Sequence, residues 1–186
     1  MKTPFIKSIA SSRLVLPLFF LFLLFACGSI GSFHFTEESE EITIQGQTSI
    51  TNSLPLGDLF PTTIPITVNL EQELAEQDAT GARAVYLTEL FFELTPESSA
   101  ENFNFLNEII LTVGPRESSS DLPTRRLASS SPVPEGQSQF FLDIEDDLDL
   151  KPYIESGMRL RTNASGSAPS SDAVFKVFAT FRVQVL

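Results

Sequence analysis

The last 14 residues of the chain carry the clearest structural signal in the sequence. Every second position from Ala173 to Val185 is apolar, and the positions between them include Lys176, Arg182 and Gln184. Because successive side chains of a strand point to opposite faces, this period of two predicts a β-strand with one buried face. We expect this strand to close the fold.

Shorter runs of the same kind precede it. In the longest of them, alternation places Ala84, Tyr86 and Leu90 on one face, together with Phe92 and Leu94. The predicted strands cover 41–45, 64–70, 83–95, 109–113, 140–144, 158–163 and 173–186. Proline cannot donate to a β-ladder, so Pro65 favours an edge position for the second strand. About seven or eight strands separated by turn residues predict an all-β fold, an antiparallel β-sandwich.

Two short helices are predicted between the strands. Residues 71–77 are good helix formers and Gly81 lies beyond them. Residues 152–156 begin with proline and are followed by Gly157, the order that favours a single helical turn.

The N-terminus has the layout of a secretory signal peptide. Lys2, Lys7 and Arg13 precede an uncharged run of 13 residues, 14–26, and Cys27 follows it directly. A membrane-spanning helix needs about 20 apolar residues, whereas a signal peptide needs about 7–15. The run therefore predicts export rather than a membrane span.

The four residues Leu24-Phe25-Ala26-Cys27 resemble the lipobox of bacterial lipoproteins. This resemblance implies cleavage between Ala26 and Cys27, fatty acyl chains on Cys27, and a chain held at the cell envelope by that lipid. Two or three such chains bind a membrane stably. In that family, Gly28 rather than aspartate after the cysteine favours the outer membrane. Two alternatives stay open: simple secretion with Cys27 as a bystander, and an uncleaved anchor.

These features predict three segments. Residues 1–26 form the lipoprotein signal peptide, residues 27–41 form the lipidated cysteine and an acidic tether, and residues 42–186 form the β-sandwich domain. The tether prediction follows from four glutamates between Glu37 and Glu41, a run too charged to fold alone. Phe33 and Phe35 are apolar enough to dock on the domain.

Charge and cysteine content narrow the function. Removal of residues 1–26 leaves 160 residues with nine basic and 24 acidic side chains, a formal charge of −15. Nucleic acids and anionic lipid surfaces bind basic patches, so we expect no nucleic acid partner. Cys27 is the only cysteine, so no internal disulfide can form, and 12 phenylalanines are available to fill a core.

One acidic segment is a candidate metal site. Four carboxylates recur at every second position: Asp143, Glu145, Asp147 and Asp149. Oxygen-rich clusters of this kind bind Ca²⁺. The sixth and twelfth positions of an EF-hand loop are occupied by Leu148 and Ile154, so the segment is not an EF-hand. The alternative interpretation is the solvated end of a strand.

Catalytic motifs are scarce. The only histidine, His34, falls in the predicted tether, and the sequence has no Gly-x-Ser-x-Gly, Ser-x-x-Lys or phosphate-binding glycine loop. Two carboxylates could still meet in a cleft, as glycoside hydrolysis requires. The arginines at 125, 126, 159 and 161 hold much of the positive charge, and pairing with nearby acids is the simplest interpretation.

The leading hypothesis is a membrane-anchored envelope lipoprotein with a non-enzymatic binding or structural role. Its expected partners are the membrane, through the lipid, and other envelope proteins or glycans. The alternatives are a carboxylate-based hydrolase acting on an envelope polymer, and a Ca²⁺-dependent adhesion module.

Overall fold

The computed structural model describes residues 31–48, 55–116 and 121–186. The signal peptide, Ala26 and Cys27 lie outside the described residues. Within the described residues the chain forms ten strands and three short helices. The strands are β1 (Ser32–Glu38), β2 (Ile42–Ile44), β3 (Thr63–Ile64), β4 (Ala82–Leu94), β5 (Leu106–Pro115), β6 (Arg125–Ser130), β7 (Gln139–Phe141), β8 (Asp143–Ile144), β9 (Met158–Gly166) and β10 (Ala173–Val185). The helices are α1 (Leu56–Leu59), α2 (Leu70–Glu76) and α3 (Lys151–Glu155).

The strands form two antiparallel sheets, and the predicted all-β sandwich is confirmed. Sheet A has the order β1-β10-β4-β7, and β2 also pairs with β10. Sheet B has the order β3-β9-β5-β6-β8. Apolar side chains of both sheets join in one buried cluster, which includes Phe92, Phe175 and Leu111. Burial of these side chains is the main stabilising contribution, at about 25 cal/mol per Å² of apolar surface.

Strand β10 has the predicted alternation. Its inward positions, from Ala173 through Phe175 and Val177 to Val183, are all buried. The intervening side chains are only partly exposed and form the outer face of sheet A. β10 lies between β1 and β4, so it is a central strand of this sheet.

The tether prediction is wrong for Ser32–Glu38, which form the first strand of the sandwich. β1 pairs with β10 over its whole length, from Ser32 opposite Gln184 to Glu38 opposite Phe178. The Phe35 ring stacks on the Phe181 ring, with centroids 5.1 Å apart. The expected docking of Phe33 and Phe35 is confirmed, since both pack against the core. Acidic composition suggested a tether, but pairing with β10 decides the structure.

Ser39 joins β1 to β2 along the same edge of β10. Its backbone N–H donates to the Val177 carbonyl, and its side-chain oxygen accepts the Val177 N–H, each at 2.9 Å. Ser39 is only 2% exposed. The hydroxyl therefore replaces a ladder hydrogen bond at the point where the chain passes from one strand to the next.

A β-bulge in β4 corrects the predicted face of that strand. Thr180 pairs with Glu89 and Phe181 pairs with Leu87, so Thr88 has no partner in the ladder. One extra residue reverses which side chains point inward. Val85 and Leu87 are buried in the core before the bulge, whereas Ala84 and Tyr86 lie on the outer face. The prediction that Ala84 and Tyr86 share a face with Leu90 is therefore wrong.

The predicted strand at 140–144 is divided between the two sheets. β7 pairs with β4 in sheet A, and β8 pairs with β6 in sheet B. Leu142 lies between them and its N–H donates to the Leu90 carbonyl. The predicted strand at 64–70 is wrong beyond its first residue, because β3 ends at Ile64, before Pro65, and α2 begins at Leu70. β3 does lie at an edge of sheet B, as expected.

The two predicted helices are confirmed, each shifted by one residue. Asn69 caps α2 by accepting the N–H of Gln72 at 3.2 Å. α3 ends before Gly157, which has a φ of 75°, a value that favours glycine. α1 was not predicted. In the described part of the chain, helices are all too short to cross a bilayer.

Candidate functional site

A row of three phenylalanines crosses the outer face of sheet A. Phe178 of β10 lies opposite Phe91 of β4, and Phe91 lies opposite Phe141 of β7. Their chain neighbours Val177, Phe92 and Phe140 are buried on the inner face. Alternation therefore directs the three rings outward. We call these three residues the phenylalanine row.

The rings touch one another. The Phe91 and Phe178 centroids are 4.8 Å apart with ring planes at 13°, and those of Phe91 and Phe141 are 5.2 Å apart at 44°. Phe141 is 54% exposed, whereas Phe91 and Phe178 are partly covered by their neighbours. The row is therefore a contiguous apolar patch with one exposed ring and two partly exposed rings, and contiguous apolar surface is a feature of interaction sites.

Charged side chains border the phenylalanine row on the same face. Lys176 and Glu93 lie opposite each other on one side of the row, Glu89 lies opposite Thr180 on the other, and Glu38 lies opposite Phe178 at its end. The Lys176 ammonium is 3.3 Å from a Glu38 carboxylate oxygen. An apolar centre with a charged rim is the usual composition of a protein-binding surface.

A cleft of about 270 Å³ opens at the Phe178 end of the row. Its lining combines Phe178 and Lys176 with the carboxylates of Glu41, Glu93 and Glu97. All three glutamates are exposed. Acidic side chains therefore outnumber basic ones around this end of the row.

The other half of the outer face is polar. The Arg182 guanidinium lies 5.3 Å from the centroid of the Tyr86 ring, a cation–π distance. Thr36 and Thr180 join β1 to β10 by a hydrogen bond of 2.9 Å. His34 is exposed on β1 and lies opposite Arg182. The phenylalanine row is thus confined to one half of the face.

The acidic segment proposed for calcium lies at the other sheet. Glu145 forms an ion pair with Arg126, and one carboxylate oxygen of Asp149 accepts the N–H groups of Val85 and Lys151, each at 3.0 Å. Asp143 and Asp147 are exposed. Across 31–48, 55–116 and 121–186, no three acidic, histidine or cysteine side chains converge on one point. Calcium binding at this segment stays a prediction.

A cleft of about 410 Å³ lies at the acidic segment and is lined by Arg126, Glu145 and Asp147 among others. Two larger clefts lie elsewhere on the domain. One, of about 490 Å³, is lined mainly by serine and amide side chains, with Glu101 as its acidic residue. The other, of about 520 Å³, lies between α2 and α3 and includes Leu74, Ile154 and Leu186.

Pairing of arginines with acids is confirmed for Arg126 alone among the four arginines singled out in the sequence. The ion pairs of the described residues are Arg126–Glu145, Lys151–Glu155 and Lys176–Glu38.

The sequence alone does not predict the phenylalanine row. Phe178 stands among polar residues on the outward positions of β10, and an aromatic side chain there was the available signal. No sequence signal marks Phe91 or Phe141, because their place beside Phe178 depends on strand pairing. Comparison with protein-family models and with curated proteins gives no match. The site must therefore be interpreted from its own chemistry.

Proposed function

We propose that this protein is a lipid-anchored envelope protein with a non-enzymatic binding role, and that it holds its partner on the outer face of sheet A. The observation that carries the proposal is the phenylalanine row, with Phe141 more than half exposed. Single exposed apolar residues are ordinary on protein surfaces, whereas here Phe91 joins Phe141 and Phe178 in one contiguous apolar patch.

A partner that covers the row removes apolar surface from water, which contributes about 25 cal/mol per Å² before the costs of association. Aromatic side chains are enriched at the centres of protein interfaces for this reason. Cross-strand contact between the rings also stabilises the sheet, at about 0.2–1 kcal/mol per pair, and a partner on the exposed side of Phe141 would add to that contribution.

The anchor is supported by the sequence. The apolar run at 14–26 and the lipobox resemblance at Cys27 together favour export and lipid attachment. Gly28 favours the outer membrane within the lipoproteins that the sequence resembles. A formal charge of −15 for the chain after residue 26 disfavours contact between the domain and anionic lipid.

Site-specific photocrosslinking in intact source cells tests the binding role. p-Benzoylphenylalanine replaces Phe141 in one variant and Asn163 in a control variant. Asn163 is exposed on β9 of sheet B, so it reports the opposite sheet. We expect a discrete crosslinked product from position 141 and none from position 163. Equal yields from both positions, or no product from 141, would refute the proposed docking face.

A further inference from the structure

We propose that the partner segment held by the phenylalanine row is a cationic stretch of polypeptide. In this arrangement its aliphatic side chains pack on the rings, and its lysine or arginine side chains meet the surrounding carboxylates. This inference rests on the proposed function and adds the chemistry of the partner. Two observations carry it, the charge around the row and the orientation of the rings.

The border of the row is acidic. Three carboxylates, those of Glu38, Glu89 and Glu93, adjoin the rings, against the single ammonium of Lys176. Lys176 is engaged with Glu38 at 3.3 Å. Glu89 and Glu93 are exposed, and neither takes part in an ion pair with another described residue. Two carboxylates beside the rings are therefore available to a partner.

The cleft beside Phe178 adds to this charge. Glu41 and Glu97 line it together with Glu93, and neither belongs to an ion pair within the described part of the chain. Its volume of about 270 Å³ is sufficient for the end of one long side chain. Guanidinium and ammonium groups are the protein side chains that complement carboxylates, and complementary charge gives selectivity and fast association.

The orientation of Phe91 and Phe178 disfavours a sugar ring stacked on those two side chains. Rings lying side by side in the plane of the sheet could not bring their centroids to the 4.8 Å found for Phe91 and Phe178. With planes only 13° apart, these two rings instead turn their faces toward each other and their edges outward. A pyranose ring needs a flat aromatic face, whereas aliphatic side chains pack equally well on ring edges.

Peptide titration of the protein purified from membranes in mild detergent tests the inference. The probes are three labelled, amidated decapeptides that alternate valine with arginine, serine or glutamate, and a neutral chitin hexasaccharide. Fluorescence anisotropy reports binding. The variants are Phe141→Ser, the double variant Glu89→Gln/Glu93→Gln, and the control Glu101→Gln/Glu108→Gln, which changes the net charge equally but lies away from the row.

We expect the arginine peptide to bind about tenfold more tightly than the serine peptide, and the glutamate peptide to bind least. Phe141→Ser and Glu89→Gln/Glu93→Gln should each weaken the arginine peptide at least several-fold, and added salt should do the same. The control should bind like the unaltered protein.

The outcomes separate the two proposals. Equal affinity for the three peptides, or equal loss in the Glu101→Gln/Glu108→Gln control, would overturn the cationic partner while a crosslink at position 141 would still support the docking face. Binding of the hexasaccharide in place of the peptides would overturn it in favour of a glycan. Retention of arginine-peptide affinity in Phe141→Ser would overturn it by placing the contact elsewhere.

Discussion

Replacement of Ser39 by alanine should destabilise the whole sandwich. The hydroxyl of Ser39 accepts the backbone N–H of Val177 at 2.9 Å and donates to the Glu40 carbonyl at 2.7 Å. Val177 is fully buried in the central strand of sheet A, and Ser39 is 2% exposed. Water therefore cannot easily replace the hydroxyl, and Ser39→Ala leaves a buried N–H without its acceptor.

The expected loss follows from that unpaired group. A buried donor without a partner costs about 1–3 kcal/mol, more than the net value of a hydrogen bond exchanged with water. For a domain of this size, each 1 kcal/mol lowers the melting temperature by about 2–4 °C. We therefore expect a fall of several degrees in Ser39→Ala, with the fold retained.

Urea and thermal unfolding, followed by far-ultraviolet circular dichroism, measure the loss, since the chain has no tryptophan and only two tyrosines. Ser165→Ala is the matched control, because Ser165 lies exposed on β9. Its free energy of unfolding should stay within about 0.5 kcal/mol of the unaltered protein, as for most surface substitutions. Equal stability of Ser39→Ala and Ser165→Ala would refute the proposed role of the hydroxyl.

Three further predictions concern pH, anchoring and metal. Burial is the main cause that raises the pKa of Glu37 above its usual value, and the negative charge of Glu73 raises it further. Ionisation of Glu37 therefore weakens the fold as the pH rises through that raised pKa. At neutral pH, Glu37→Gln should accordingly unfold at a higher urea concentration than the unaltered protein. Near about pH 3 the two proteins should unfold at the same urea concentration, because Glu37 is protonated in both the folded and the unfolded state. Glu40→Gln, at an exposed position, should show no such change. Cys27→Ser should leave an unprocessed precursor or release the protein from membranes, as fractionation and mass spectrometry of the N-terminus would show; membrane retention at mature size would contradict the anchor. Calcium binding by Asp143, Glu145, Asp147 and Asp149 predicts heat in a calorimetric titration with calcium chloride, and a flat trace would end that hypothesis.

Much of the architecture can be predicted from the sequence because it depends on the local alternation of apolar and polar residues. β10 follows from its period of two, and α3 follows from Pro152 and Gly157. β1 is not predicted from the sequence, because its acidic side chains indicate a tether. Its inward side chains, Phe33 and Phe35, pack on the core only because β1 pairs with β10, a strand far along the chain. Composition describes a segment alone, whereas a strand is stabilised by its neighbour.

The remaining differences between the sequence predictions and the structure also arise from pairing between distant strands. The bulge at Thr88 is a feature of the pairing between β4 and β10, and no local residue pattern indicates it. The phenylalanine row requires three strands to place Phe178, Phe91 and Phe141 side by side. Such sites arise from pairing between distant segments, so a single sequence shows their members without showing their proximity.

The docking face of sheet A is tested most directly by crosslinking from position 141 in intact cells, with Asn163 as the opposite-sheet control. The account predicts a product that depends on position 141 and that diminishes when Glu89 and Glu93 are both changed to glutamine. Equal crosslinking from position 141 on sheet A and from position 163 on sheet B would contradict it.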